Sequence, residues 1–327
     1  MNMSAPSNKP ARRTVLAAGL AGLLLSLSVS APVAAQNSAN KGVLRIGFQK
    51  YGTLTILKAA GSLDQRLAAS GVTVQWTEFP AGPQLLEGLN VGSVDFGTTG
   101  EAPPIFAQAA GADLLYVSHE PAAPGGEAIV VPKNSQLKSL ADLRGKKIAL
   151  NKGSNVHYLL VKLLEKAGIP YRDVELIFLP PADARAAFER GSVDAWVIWD
   201  PFLAAAEKQL GARILADGKG VVSNHQFYLA ARSYAQKHPD VLRIVEEELA
   251  KIDQWAIKNP QQVSTLLAGQ VGLDTSIVAL SNSRFAFGAT PLSEAVINEQ
   301  QKIADTFAEL KLIPKPINIR SIVLLQK

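Results

Sequence analysis

Two short phrases are written twice in this chain, about 100 residues apart, and that duplication constrains the fold more than any other feature. Arg45-Ile-Gly-Phe-Gln-Lys50 is echoed by Lys147-Ile-Ala-Leu-Asn-Lys152, and Gly92-Ser-Val-Asp95 by Gly191-Ser-Val-Asp194. Between the echoes the order also agrees: an apolar strand, a helix, a second strand (72–79 and 174–179), Pro80 or Pro180, another helix, the Gly-Ser-Val-Asp turn and a third strand. Each copy thus reads β-α-β-α-β, the pattern of a parallel sheet with helices on its faces. Leu159, Leu160, Leu163 and Leu164 recur at helical spacing before Ala167-Gly168 closes the run. Ordinary turn chemistry explains one Gly-Ser-Val-Asp. Two, each at the same place in a matching order, predict two similar α/β lobes with mostly parallel sheets.

The remaining segments suit a chain that crosses between lobes twice. Ala128-Ile-Val-Val131, followed by Pro132, and Gln226-Phe-Tyr-Leu-Ala-Ala231 read as hinge strands on either side of the second copy. Residues 43–133 with 223–327 are then expected to form lobe 1, and residues 134–222 lobe 2. From Pro239 the pattern is amphipathic helix, with Ile244, Val245, Leu249, Ile252 and Trp255 on one stripe that is expected to pack on lobe 1.

The first 35 residues carry no acidic side chain. Lys9, Arg12 and Arg13 precede an apolar stretch from Val15 to Ala31 and a small-residue site at Val33-Ala34-Ala35, the order of a cleaved signal peptide. Its Ala, Gly and Ser content argues against a spanning helix. Arg12-Arg13 leaves Sec and twin-arginine export both open. Removing this leader takes three of the 33 basic residues, leaving 30 against 28 acidic ones, so the basic pI of about 9.3 is mostly a leader effect. Scattered charge without a basic run excludes a nucleic-acid surface. Cysteine is absent, which excludes disulfides, thiolate metal sites and a cysteine nucleophile. No metal-spaced histidine set, nucleophile elbow or phosphate loop is present either, so neither catalysis nor a cofactor is expected.

Ligands of open parallel sheets bind beyond the carboxyl ends of the strands. Here those ends are Gln49-Lys50-Tyr51-Gly52, Thr99-Gly100-Glu101, Asn151 to Asn155, and Trp199-Asp200-Pro201. Thr99-Gly100-Glu101 before Pro103-Pro104, and Gly153-Ser154-Asn155 before the leucine-rich helix, both look like helix entrances with a hydroxyl near the cap. Facing one another, they would offer N–H groups and helix dipoles to an anion. Lys50 and Lys152 read as solvated strand-end residues, and His157 as either a ligand to that anion or a bystander. Trp199 and Phe227 could wall an alkyl chain, whereas Trp196 belongs to the core. Asp200 is read as orienting a donor, repelling dianions, capping a helix or closing against the opposite lobe.

Phe79-Pro-Ala-Gly-Pro-Gln-Leu-Leu-Glu-Gly-Leu-Asn-Val-Gly-Ser-Val-Asp95, Thr99-Gly100, the Pro103–Asp113 run, Val193-Asp-Ala-Trp-Val-Ile-Trp-Asp-Pro201 and Phe227-Tyr-Leu-Ala-Ala-Arg232 resemble the aliphatic sulfonate-binding proteins of ABC importers over nearly the whole mature chain. The resemblance implies the type II periplasmic-binding-protein fold and a monomer that hands an alkanesulfonate to a membrane permease and its ATPase. By motif position it points to Gln49, Gly52, Thr99, Gly100, Glu101, Ser154, Asn155, Trp199 and Asp200 around the cleft. Two departures bear on the alkyl group: Glu101 replaces a familiar Asp, and Lys152-Gly-Ser-Asn-Val-His157 replaces a more serine-rich form. Taurine- and nitrate-binding proteins, and enzymes or binding proteins for a thiamine pyrimidine precursor, share the fold and remain alternatives.

Overall fold

In a computed structural model, which describes residues 42–324, the two Gly-Ser-Val-Asp phrases do the same work. Gly92 (φ 75°) closes α3 (Gly82–Asn90) and Gly191 (φ 69°) closes α6 (Pro181–Glu189). The following serine N–H reaches back to a carbonyl of the last turn, Ser93 to Gly88 and Ser192 to Ala187, each at 2.9 Å. This is the closure a left-handed glycine permits. Val94 and Val193 are buried. The aspartates then accept the N–H of the first strand, Asp95 from Arg45 at 2.9 Å and Asp194 from Lys147 at 2.8 Å.

The first sheet has the order β2 (Val72–Glu78), β1 (Gly42–Phe48), β3 (Phe96–Gly100), β10 (Gln226–Ala231), β4 (Leu114–His119). The second repeats it as β7 (Glu175–Phe178), β6 (Lys147–Leu150), β8 (Ala195–Trp199), β5 (Glu127–Val131), β9 (Arg213–Asp217). In each sheet one strand, β10 or β5, runs antiparallel to both neighbours. Each of these strands belongs to the stretch of chain that has just crossed from the other lobe. Because β5 pairs with β8 and β9, the first crossing ends before Glu127 and not after residue 133 as the sequence suggests. The apolar run that reads as a hinge is a core strand of lobe 2, with all five residues buried.

Each sheet has its own core. Phe96, Tyr116 and Tyr228 anchor the first, and Trp196 with the α5 leucines (α5, Asn155–Lys166) anchors the second. Burying each such side chain contributes roughly 1.5–3 kcal/mol. Gly168 (φ 66°) ends α5, with Ile169 N–H on the Leu164 carbonyl at 2.9 Å.

The C-terminal helices touch both lobes, a wider reach than the expected packing on lobe 1. After β10 come α8 (Arg232–Lys237), α9 (Pro239–Lys258) and α10 (Pro260–Val271), and α9 lies on α1 (Gly52–Ala60) and α2 (Ser62–Ala68), with Val245 and Leu249 buried. Ile277 of α11 (Thr275–Asn282) packs on Ala204 and Ala205 of α7 (Phe202–Gln209). Phe307 of α12 (Glu294–Glu309) meets Phe106 of α4 (Pro103–Ala109) and both His157 and Tyr158 of α5. The expected leader, residues 1–35, lies outside the described residues.

Candidate functional site

The two crossings run side by side between the lobes. Ala123 N–H donates to the Ser223 carbonyl at 3.0 Å, and Asn224 Nδ2 to the Ala123 carbonyl at 2.9 Å. Gly218 makes this contact possible, since a Cβ there would stand 2.5 Å from the Pro124 carbonyl oxygen.

Around the crossings the strand ends of both lobes gather. Gln49 Nε2 donates to the Thr98 carbonyl at 3.1 Å and to the Tyr51 hydroxyl at 3.3 Å, and that hydroxyl donates to Gln226 Oε1 at 2.7 Å. Gly52 (φ 73°) lets Phe285 approach, as a Cβ would meet its ring at 3.3 Å. The two helix entrances do face one another, and so closely that a Cβ on Gly100 would lie 2.8 Å from Asn155 Oδ1. Asn155 Nδ2 bonds Glu127 and Asn224 Oδ1, drawing α5, β5 and the second crossing together.

The expected hydroxyl caps are not formed. Thr99 Oγ1 donates to the Gly100 carbonyl at 3.0 Å and Ser154 Oγ to the Asn151 carbonyl at 2.7 Å, while α4 is capped by Ala102 without a side-chain bond. Both hydroxyls satisfy backbone carbonyls ahead of their helices instead of helix N–H groups.

Beside these entrances lies a cavity of about 30 Å³ where Tyr51, Trp199, Asp200, Asn224, Gln226 and Phe285 meet Arg284. Arg284 follows α11 and is buried to 16% side-chain exposure. Its Nη2 bonds Glu207 of α7 at 2.5 Å, whereas Nη1 has no hydrogen-bond partner and stands 3.5 Å from Asp200 Oδ2, itself without one. Asp200 Oδ1 accepts the Ala204 N–H at 3.0 Å, so the expected capping role is present. Burial lifts the Asp200 carboxyl to about 6, and Arg284 opposes that rise. Sequence reasoning missed Arg284, Asn224 and Gln226. The available signal was that Arg284 is the only charged residue between Asp274 and Glu294, an isolated cation in a half-apolar stretch.

Other expected site residues lie elsewhere. His157 is fully buried among Phe106, Tyr171, Phe178 and Phe307. Gly153 N–H donates to its Nδ1 at 3.2 Å and Nε2 lies 2.5 Å from the Tyr171 hydroxyl, so neither nitrogen is left for an anion. Burial, with Lys152 adding to it, holds the ring down at about 4 and therefore neutral. Phe227 packs on Tyr116, His119 and His225, away from Trp199. Glu101 turns from the entrance to accept the His225 N–H at 3.1 Å, and burial pushes its carboxyl up to about 8. Lys50 pairs with Glu78 at the surface and Lys152 lies over the Phe178 ring.

The NMT1/THI5-like family model matches residues 67–263. A protein of Escherichia coli (strain K12) described as binding aliphatic sulfonates is 45% identical over 310 residues, covering 94% of this chain and 95% of that one. The alkanesulfonate-binding protein of Xanthomonas axonopodis pv. citri, solved with MOPS bound, superposes with a TM-score of 0.83 at 43% identity, over 86% of this chain and 98% of that chain. The periplasmic aliphatic sulphonate binding protein of Escherichia coli gives a TM-score of 0.77 at 43% identity, over 87% and 92%.

Proposed function

We propose, from the premise that the chain belongs to the NMT1/THI5-like family and to its aliphatic sulfonates-binding members, that it is the solute-binding subunit of an ABC importer and captures alkanesulfonates between its lobes. The observation that carries the proposal is the buried Nη1 of Arg284, which makes no hydrogen bond and has the Asp200 carboxylate 3.5 Å away, beside Trp199 and Tyr51. A sulfonate stays ionised at any physiological pH, so it needs donors that meet a full negative charge. A charge-assisted bond from a partly buried guanidinium contributes about 1.5–3 kcal/mol. The Trp199 indole offers an apolar wall for the alkyl chain. Asp200 keeps Arg284 oriented, and its own charge disfavours dianions such as sulfate.

A 30 Å³ cavity holds about one water, so ligand entry requires the lobes to part about the paired crossings. Under this reading the chain acts in the periplasm after export by the leader at residues 1–35, as a monomer without cofactor or catalysis. It delivers its cargo to a membrane permease and its ATPase for sulfur uptake. Calorimetry with the ethane to octane sulfonates, sulfate, nitrate and taurine is the test. Micromolar sulfonate affinity is expected; tight sulfate or nitrate binding with none for the sulfonates would overturn the proposal.

A further inference from the structure

Glu101 lines a second and far larger cavity, of about 370 Å³. Tyr158 of α5, His225 of the second crossing, and Val296, Glu299 and Ile303 of α12 wall it. Although Glu101 is 1% exposed, its Oε1 meets no hydrogen-bond partner. A buried acceptor in that state costs about 1–3 kcal/mol, and more when ionised. A second carboxylate, Glu299, stands at the rim with Oε2 3.0 Å from Ser223 Oγ and 3.6 Å from His225 Nε2. Opposing them is Lys302, which is solvent-exposed.

Once ionised, the buried Glu101 carboxylate beside apolar walls, with Glu299 at the rim, repels a sulfonate and suits a cation with a short hydrocarbon body. Among the described residues no cluster of three or more His, Cys, Asp or Glu could hold a metal ion, so an N–H-bearing organic cation fits better than a metal. We infer that this cavity binds a small primary ammonium compound, its N–H groups on Glu101 Oε1 and its hydrocarbon against Tyr158, Val296 and Ile303. The site is separate from the Arg284 cavity and does not rest on the sulfonate reading.

Because burial holds the empty Glu101 at about 8, an ammonium bound at pH 7 must displace the carboxyl proton. Calorimetry of the full chain with n-butylammonium chloride, in two buffers of different ionisation heat, reads both events. Saturable binding with release of about one proton is expected. Glu101→Gln should weaken it by about tenfold or more, and Ile303→Trp, which fills the cavity, should abolish it. Absence of saturable binding, a heat that does not depend on the buffer, or binding unchanged in the filled variant would each overturn the inference. If Glu101→Gln does not fold, Ile303→Trp decides alone.

Discussion

Arg284 carries most of the charge chemistry assigned to the cleft, and it does so as one member of a triad with Asp200 and Glu207. Arg284→Ala removes the donor and leaves two carboxylates short of a partner. Alkanesulfonate affinity should fall by about tenfold to a hundredfold, matching 1.5–3 kcal/mol. Calorimetry checks this, and an unchanged dissociation constant would remove Arg284 from the site. His157 is the contrasting case. Its neutral ring spends both nitrogens inside an aromatic cluster, so His157→Phe should lower stability by about 1–3 kcal/mol while leaving sulfonate affinity alone. Denaturant titration beside calorimetry separates the two effects; a large loss of affinity in a stably folded His157→Phe would restore the anion-binding role.

At the scale of elements, the lobes approach closely where the α4 entrance meets the α5 entrance, and Gly100 faces Asn155 without space for a methyl group. Gly100→Ala should therefore hold the lobes apart. The expected result is a larger radius of gyration by small-angle scattering at saturating ligand and a weaker affinity, with the fold of each sheet intact. Scattering identical to the unsubstituted protein would show that the contact yields easily. The sequence located these entrances because strand ends follow from the repeat. It misread their hydroxyls as caps, since whether an oxygen bonds a helix N–H or a loop carbonyl depends on a few degrees of backbone that residue identity leaves open. Strands β4 and β9 were also missed: they fall outside the duplicated β-α-β-α-β unit, and each is completed only by pairing with a strand from across the hinge.

For the whole molecule, buried carboxyls make stability depend on pH in an unusual direction. Glu101 and Glu120 are both lifted to about 8 by burial, first of all. Each binds its proton more tightly folded than unfolded, so stability is greatest below the ordinary carboxylate range and is lost as pH rises towards 8. His157, held down at about 4, opposes this only below its ordinary value near 6.5. Between pH 8 and 6.5 the carboxyls act alone, and acidification should stabilise the protein by roughly 3 kcal/mol. Thermal unfolding should show the midpoint rising by several degrees over that interval, and a flat or falling midpoint would contradict the assignment. A sulfonate should also compact the molecule in scattering, since the proposed site lies where the two lobes meet.

Duplicated phrases, helical leucine spacing and the Gly-Ser-Val-Asp turns were enough by themselves to determine two α/β lobes, because these signals act within one turn or one strand and need only their neighbours. The four strand ends from which Gln49, Gly100, Asn155 and Trp199 approach the cleft followed from the same local order. Only the tertiary structure brought Arg284, from the turn after α11 and beyond both repeats, beside Trp199 and Asp200. It alone also decided that Glu101 and Phe227 turn to a different cavity, and that His157 belongs to the packing. Those outcomes depend on how the C-terminal helices lie across both lobes, and no local periodicity encodes a contact between segments 84 residues apart, such as Asp200 and Arg284.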